Sequence, residues 1–380
     1  MLKMADTKLA YIELSKKNLI HNVKALRSVA KKGTKISVSV KGNAYGHGQN
    51  EVAKIIEPYV DYFQVNSIAE LELLRKASKK KTFLLGYVQE NDLPKVVKAG
   101  CILAVFSTEQ LKELEKCARN LKTKQEVHIS VDAYLGREGF LLNELPKVFQ
   151  EIKQSKYIKL TGMYAHFANI EDTNNFSHAR KQIQEYGKAL KLAGEFGFKN
   201  LQTHISATSG LLSYEKGKGI NSLIRIGIGA YGMWPSEHLK VLYKNKITLM
   251  PALAWKTKIA QIKTLPKGST IGYGLTYKTK KETKIAVVPQ GYADGYDRGL
   301  SNKGEVLIKG TRCKILGRVS MNMFVVDVSH LNKVQPEDEV VILGRQGKEE
   351  IPAEELAKKL GTINYEVTTR ISSLLPRFAF

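Results

Sequence analysis

Eight short apolar runs, separated by amphipathic helical stretches, fill the first two thirds of this 380-residue chain. The runs lie near residues 36–40, 62–66, 82–86, 101–106, 126–131, 158–166, 202–206 and 223–228. Apolar periodicity and capping residues predict helices between them, as in 67–75, 108–116 and 175–196. Eight alternations predict a closed parallel (β/α)8 TIM-type barrel within an α/β protein, with functional side chains at the carboxyl ends of the strands.

The pattern changes after about residue 247, where β-type runs separated by glycine turns replace the alternation. The β-type runs cover 254–262, 284–288, 304–308 and 338–343, with one predicted helix at 353–360. We therefore expect a barrel domain over 1–247 and a C-terminal, mainly-β domain over 248–380. Residues 9–14 form another β-type run, which we expect to pair with the C-terminal domain.

Composition narrows the class of protein. A formal charge of +24 permits contact with nucleic acid or anionic membranes, but the lysines are scattered and form no basic stripe interleaved with aromatic residues. Three cysteines without a Cys-x-x-Cys pair predict reduced thiols and a cytoplasmic protein. We see no signal peptide, no membrane-spanning run and no histidine spacing typical of a metal site. We therefore expect no nucleic-acid, membrane or metal partner.

One lysine, Lys41, stands where the first predicted strand meets a glycine-rich turn. Most lysines at strand ends are merely solvated, but here the adjacent glycines and Tyr45 could approach a phosphate. This setting favours Lys41 as a Schiff-base lysine. Arg225 is also unusual, because it lies within an apolar run where an unpaired charge would be costly.

Seven short motifs, in order, resemble the alanine racemase family over nearly the full length of the chain. They are VKGNAYGHG at 40–48, GREGF at 136–140, YAHFA at 164–168, RIGIGAYG at 225–232, YG at 273–274, GYADG at 291–295 and GTINYE at 361–366. The resemblance implies a fold-type III pyridoxal-phosphate enzyme, a homodimer whose two active sites each use residues of both protomers. It implies interconversion of L- and D-alanine, which supplies D-alanine for peptidoglycan.

The resemblance also assigns the catalytic roles. Lys41 would be the Schiff-base lysine and Tyr273 the second base, because racemisation removes a proton from one face of the α-carbon and returns it to the other. His166 would lie against the pyridine ring, and Arg225 would hydrogen-bond the ring nitrogen. Since a guanidinium keeps its proton, the coenzyme should be a weak electron sink, and transamination should be suppressed.

Further roles follow from the same resemblance. The residues matching the family's phosphate contacts are Tyr45, Ser209, Gly227, Ile228 and Tyr365. Three of these follow the seventh and eighth strands, where barrels commonly bind phosphate. Arg137 would contact the phenolic oxygen of the coenzyme and the substrate, the backbone amide of Met321 would face the substrate carboxylate, and Tyr292 would line the entrance.

Four positions depart from the family pattern. Ser130 stands where many members carry a carbamylated lysine that braces the arginine, and serine cannot form a carbamate. We therefore hypothesise a bound anion such as chloride, or an ordered water, near Ser130 and Arg137. The other departures are Asn322, Thr208 and Leu374, which bear on substrate access and rate.

Two other functions remain open on the sequence. A serine or broad-specificity racemase would keep the chemistry and change the pocket. A non-catalytic pyridoxal-phosphate-binding barrel would keep the lysine, but such proteins lack the β domain that carries Tyr273.

Overall fold

The computed structural model describes residues 8–215 and 221–380. Backbone contacts divide the chain into two units. Of the described residues, the barrel unit comprises 19–41, 52–215 and 221–250, and the β unit comprises 8–18, 42–51 and 251–380. The segment that follows Lys41 thus clusters with the β unit, and the domain boundary after residue 247 stays a prediction.

In the described part of the barrel unit, eight parallel strands form one sheet. They are Lys35–Ser39, Tyr62–Val65, Thr82–Leu84, Ile102–Val105, Gln125–Ser130, Ile158–Tyr164, Gln202–His204 and Leu223–Ile226. The eighth strand pairs with the first. Backbone hydrogen bonds from Arg225 to Ser206 (3.1 Å) and from Ser222 to Thr203 (3.0 Å) join it to the seventh. The barrel is therefore nearly closed, and the fold predicted from the eight apolar runs is confirmed.

Helices alternate with these strands along the chain. They are Lys16–Val29, Gln49–Ile56, Ile68–Arg75, Leu93–Ala99, Thr108–Asn120, Leu145–Gln154, Ser177–Glu195, Thr208–Gly210 and Glu237–Tyr243. Ser67 and Ser107 cap two of the helices, because each hydroxyl accepts a backbone N–H of the first turn. Among residues 8–215 and 221–380, no helix is both long and apolar enough to cross a membrane.

The β unit is built on a mainly antiparallel sheet. The strands of this sheet are Ala10–Leu14, Leu253–Lys258, Gln261–Leu265, Thr283–Val288, Glu305–Ile308, Thr311–Leu316, Phe324–Asp327, Glu339–Gln346, Glu349–Ile351 and Arg377–Ala379. Two further strands, Thr270–Ile271 and Tyr277–Lys278, pair with each other, and the helices of the unit are Ala353–Leu360 and Asn364–Thr369. Ala10–Leu14 pairs antiparallel with Leu253–Lys258 and parallel with Arg377–Ala379.

The β-type run predicted at 254–262 is two strands in the structure. Leu253–Lys258 pairs with Glu339–Gln346, whereas Gln261–Leu265 pairs with Thr283–Val288. The chain changes partner between the two strands, and neither glycine nor proline marks the change in the sequence.

Candidate active site

Lys41 lies two residues beyond the first barrel strand, at the end of the sheet where parallel barrels place their functional groups. Its side chain remains accessible. Protein atoms around the amine nevertheless desolvate it, which lowers the pKa of Lys41, and the positive charges of Arg137 and Arg225 lower that pKa further. A larger fraction of Lys41 is therefore a neutral amine, the form that attacks a carbonyl group.

The chain leaves Lys41 through a left-handed turn. Residues 42–45 have φ between +52° and +60°, and for each residue other than glycine this conformation costs about 1–2 kcal/mol. The amide of Gly46 donates to the carbonyl of Gly42 at 3.0 Å and so closes the turn. Arg377 donates to the carbonyl of Gly46 at 2.9 Å. A Cβ on Gly46 would lie 1.8 Å from the carbonyl oxygen of Thr368. Strain held by such contacts is typical of functional sites.

Arg225 is the buried cation of the barrel, with 6% of its surface exposed. One terminal nitrogen donates to the carbonyls of Ala165 (2.6 Å) and Ile205 (3.3 Å) and lies 3.2 Å from Nδ1 of His166. The guanidinium carbon also lies 5.0 Å from the ring centroid of Tyr164, a cation–π contact. Burial lowers the pKa of Arg225 to about 10. Arg225 therefore remains a cation at neutral pH.

His166 is the neutral partner of that cation. Burial lowers the pKa of His166 to about 3, and the positive charges of Arg225, Arg137 and Lys41 act in the same direction. A neutral imidazole that accepts through Nδ1 carries its proton on Nε2. His166 thus presents a donor on the side away from Arg225.

Arg137 lies on a loop that folds back onto the end of the fifth strand. The amide of Phe140 donates to the carbonyl of Ser130 at 2.9 Å. The side chain of Asp132 accepts two amides of the loop, at 2.9 and 3.0 Å. Within this loop the guanidinium of Arg137 pairs with the carboxylate of the next residue, Glu138. Sequence reasoning did not single out Glu138, although it is adjacent to a predicted site residue.

The residues predicted after the seventh and eighth strands lie in the two short segments that follow those strands, and a hydrogen bond joins the segments. The hydroxyl of Ser209 donates to Oε1 of Glu171 at 2.6 Å. The amide of Gly227, which precedes Ile228, donates to the hydroxyl of Thr208 at 3.2 Å. Thr208 therefore accepts a hydrogen bond from one of the amides that the resemblance assigns to phosphate. Glu171 is a second residue that sequence reasoning missed.

The other predicted residues lie in the β unit. The rings of Tyr45 and Tyr365 are 6.0 Å apart between centroids. The amide of Ala293, the residue after Tyr292, donates to the carbonyl of Met321 at 2.9 Å. Tyr292 and Met321 therefore lie on adjoining segments. Tyr273 opens a 3-10 turn, and 72% of its surface is exposed.

A buried histidine pair in the barrel was also missed. Nδ1 of His128 lies 2.7 Å from Nε2 of His204, and the ring of Tyr164 stacks on His204 at 5.2 Å. Burial lowers the pKa of His128 to about 3 and that of His204 well below its ordinary value. The sequence places both histidines in predicted strands, but strand position does not show which inward-facing side chains meet across a barrel.

The donor set suits an anionic carbonyl coenzyme. Lys41 provides an accessible amine of lowered pKa, and Arg137 and Arg225 provide positive charge around it. Pyridoxal phosphate combines an aldehyde with negative charge, so the residues present fit it. No group of three or more potential metal ligands occurs in the part of the chain that the structure describes.

Two domain profiles match this chain. The alanine racemase N-terminal domain matches residues 14–235, and the alanine racemase C-terminal domain matches residues 252–379. An alanine racemase of Leptospira interrogans is 35% identical over 381 residues, which cover 98% of this chain and 96% of the relative. An alanine racemase of Methanococcus maripaludis is 34% identical over 370 residues, which cover 97% of each chain.

Solved structures show the same similarity. An alanine racemase of Clostridium difficile 630 superposes with a TM-score of 0.91 at 32% identity, covering 98% of this chain and 96% of the other. The Bacillus anthracis alanine racemase with bound L-Ala-P superposes with a TM-score of 0.92 at 32% identity, covering 98% and 95%.

Proposed function

This chain belongs to the alanine racemase family, and we propose that it interconverts L-alanine and D-alanine with pyridoxal 5'-phosphate as its coenzyme. The observation that carries the proposal is the cluster of Lys41, Arg225 and His166 at the carboxyl end of the barrel. A lysine amine whose pKa is lowered by desolvation and by nearby cations is activated for attack on a carbonyl group.

The coenzyme, when bound through Lys41, would supply an electron-withdrawing system that acidifies the α-hydrogen of the amino acid. Once Lys41 has given up its place on the coenzyme to the substrate amine, its amine is free, and its lowered pKa leaves it able to accept the α-proton on one face. Tyr273 would hold and exchange the proton on the opposite face. Two bases on opposite faces account for inversion of the α-carbon.

Arg225 and His166 would set the electronic character of the site. Arg225 would donate a hydrogen bond to the pyridine nitrogen and, with a pKa of about 10, would keep its own proton at neutral pH. The neutral ring of His166 would lie against the coenzyme without adding charge. A ring nitrogen that stays an acceptor favours proton return to the α-carbon over transamination.

Other residues would hold the two ends of the ligand. We propose that the phosphate is held by Tyr45, Ser209, Gly227, Ile228 and Tyr365. The hydroxyl and amide donors of this set suit a phosphate, for which Ser209 would exchange its hydrogen bond to Glu171 and Gly227 its hydrogen bond to Thr208. We further propose that Arg137 and the amide of Met321 position the substrate, and that Tyr292 lines the entrance.

We propose a homodimer in which Tyr273 serves the barrel of the partner. Exposed apolar side chains on the β unit support an interface: Leu275 is 67% exposed, Met321 55% and Leu374 92%. Mixing inactive Lys41→Ala and Tyr273→Phe proteins tests the proposal, because a mixed dimer would contain one site free of both substitutions. Activity should reappear on mixing after subunit exchange, and its absence in verified mixed dimers would contradict composite sites.

The cellular role is a proposal of the same kind. D-Alanine made by this reaction would serve peptidoglycan synthesis. Cytoplasmic residence is supported by the number and spacing of the cysteines, because Cys101, Cys117 and Cys313 are odd in number and include no Cys-x-x-Cys pair. The anion expected near Ser130 and Arg137 stays a prediction that halide titration of activity tests.

The direct test of function is chiral chromatography after incubation of the protein and pyridoxal phosphate with L-alanine or L-serine. We expect D-alanine to form from L-alanine, approaching a one-to-one ratio, and much slower change in L-serine. Equal or faster conversion of L-serine would favour the broad-specificity alternative. Coenzyme binding without any conversion would favour a non-catalytic binding protein.

A further inference from the structure

We propose that Glu138 is the counter-charge that holds Arg137 in its working position, which makes Glu138 a positioning residue of the racemisation site. The inference rests on the proposed function, in which Arg137 contacts the coenzyme and the substrate. Glu138 has no role in the assignments drawn from the resemblance to the family.

The contact between the two side chains is a two-point fork. Nη2 of Arg137 donates to Oε1 of Glu138 at 2.9 Å, and Nε of Arg137 donates to Oε2. A fork of this kind fixes the plane of a guanidinium as well as its position. The fork uses the N–H of Nε and one N–H of Nη2, so both N–H groups of Nη1 and the second N–H of Nη2 face away from the carboxylate, where a ligand oxygen could accept them.

The loop around the fork is itself held in place. Phe140 pairs with Ser130 through its backbone, and Asp132 caps two amides ahead of Arg137. The side chain of Glu138 is 28% exposed and that of Arg137 is 61% exposed. The carboxylate is therefore on the more protected side of the pair and the guanidinium on the accessible side.

Electrostatics support an ionised pair. Burial alone would raise the pKa of Glu138, but the hydrogen bond from Arg137 lowers it overall, and Glu138 in turn raises the pKa of Arg137. The charges that act on Lys41 are those of Arg137, Glu70, Arg225 and Glu138, and both carboxylates raise the pKa of its amine. Glu138 thus acts on all three cations of the site, because it also raises the pKa of Arg225.

A carboxylate in this position changes the expectation for Ser130. The bound anion was hypothesised because serine offers no charge to balance Arg137. Glu138 supplies that charge from the adjacent residue, so the wild-type site needs no chloride. The two explanations differ in one measurable respect, the dependence of the wild-type enzyme on halide.

The test compares Glu138→Gln with Glu115→Gln. Glu115 pairs with Arg119 on the helix Thr108–Asn120, and the side-chain exposures of that pair, 28% and 61%, equal those of Glu138 and Arg137. Glu115→Gln therefore removes a carboxylate from an equally exposed arginine outside the site. We expect wild-type behaviour from Glu115→Gln in every measurement.

For Glu138→Gln we expect kcat/KM for alanine to fall about threefold to tenfold, and the affinity of the apoprotein for pyridoxal phosphate to fall in the same direction. This range is the value of a charged hydrogen bond reduced for solvent exposure. Glu138→Asp keeps the charge on a shorter side chain, so its kcat/KM and its coenzyme affinity should lie between those of the wild type and those of Glu138→Gln. Glu138→Ala should regain part of its activity with added formate, whereas the wild type should not respond to formate or chloride.

A readout independent of turnover is the pKa of Lys41 in the apoprotein, measured by competitive labelling with acetic anhydride and peptide mass spectrometry. Loss of Glu138 should move that pKa downward, because the carboxylate raises it in the wild type. An unchanged Lys41 pKa together with unchanged kcat/KM in Glu138→Gln would overturn the proposal. A wild-type enzyme that requires halide would overturn it as well.

These measurements separate the inference from the function on which it rests. If the wild type does not racemise alanine, the proposed function fails, while the labelling of Lys41 and the coenzyme titration still report on Glu138. If Glu138→Gln does not fold, Glu138→Asp and the halide titration of the wild type decide the question.

Discussion

The proposed site residues of the barrel unit differ from those of the β unit in how they are held. In the barrel unit, Arg225 and His166 contact each other at 3.2 Å, and burial sets their pKa values. In the β unit, Tyr273 is 72% exposed, Met321 55% and Tyr292 43%. Arg225 and His166 are therefore preorganised by their own fold, whereas Tyr273, Met321 and Tyr292 are solvent-exposed. The following predictions probe that difference.

The largest effect should come from Lys41→Ala. Loss of the amine removes covalent attachment of the coenzyme and one of the two bases, so turnover should fall by more than about 10⁴-fold. Lys35→Ala is the matched control, because Lys35 begins the same strand, has an exposed side chain and pairs with Asp61. Borohydride reduction and mass spectrometry report attachment. A variant that keeps both attachment and turnover would refute the role of Lys41.

Tyr273→Phe should come next. Removing one general base should lower kcat by about 10²–10⁴-fold while coenzyme attachment to Lys41 stays intact. Tyr87→Phe is the control, since Tyr87 is an exposed tyrosine of the barrel unit (68% exposed). Deuterium exchange at the α-carbon, followed separately from each enantiomer, shows which face is affected. Equal loss of α-hydrogen exchange from L-alanine and from D-alanine would argue against Tyr273 as a base for one face.

A comparison of two glycines addresses stability. Gly46 and Gly33 have similar φ, +84° and +89°, but a Cβ meets the Thr368 carbonyl oxygen at 1.8 Å in the first case and nothing within 4 Å in the second. Gly33→Ala should cost about 1 kcal/mol from left-handed strain alone. Gly46→Ala should cost about 2–4 kcal/mol, because overpacking adds to strain. Urea unfolding measures both, and equal costs would show that the turn yields easily.

The smallest expected effect is on the pH dependence of folding stability. His128 and His204 have folded pKa values below that of an unfolded histidine, so their contribution to stability is complete above about pH 6.5 and is lost as pH falls. Each adds a slope of up to about 1.4 kcal/mol per pH unit. His128→Gln should reduce the slope of unfolding free energy between pH 6.5 and 5 by about that amount. If His128→Gln left the pH slope of the unfolding free energy unchanged, His128 would bind its proton equally well in the folded and unfolded protein.

The barrel could be predicted because burial on both faces makes parallel strands apolar throughout, and such runs are visible in a sequence. The end of the strand at Lys258 could not be predicted, because no glycine or proline marks the point where the chain leaves one partner strand and pairs with another. Partner choice depends on residues far along the chain, such as Glu339–Gln346.

The site shows the same limit. The burial of Arg225 and the position of Lys41 just after a strand could be predicted, because the apolar runs around these charges are visible in the sequence; their roles in the site stay predictions. The fork between Glu138 and Arg137 could not, because whether neighbouring side chains turn toward each other depends on the loop geometry. The pairing of His128 with His204 likewise depends on barrel closure, which brings together residues 76 positions apart.

The turn after Lys41 leans on Arg377, which follows Gly46 by 331 positions. A polypeptide leaves the ribosome N-terminus first, so Arg377 is made 331 residues after the glycine whose carbonyl it binds. We therefore expect nascent chains that stop short of Arg377 to leave the turn unbraced, and uptake of the proposed vitamin B6 derivative to follow synthesis of Arg377.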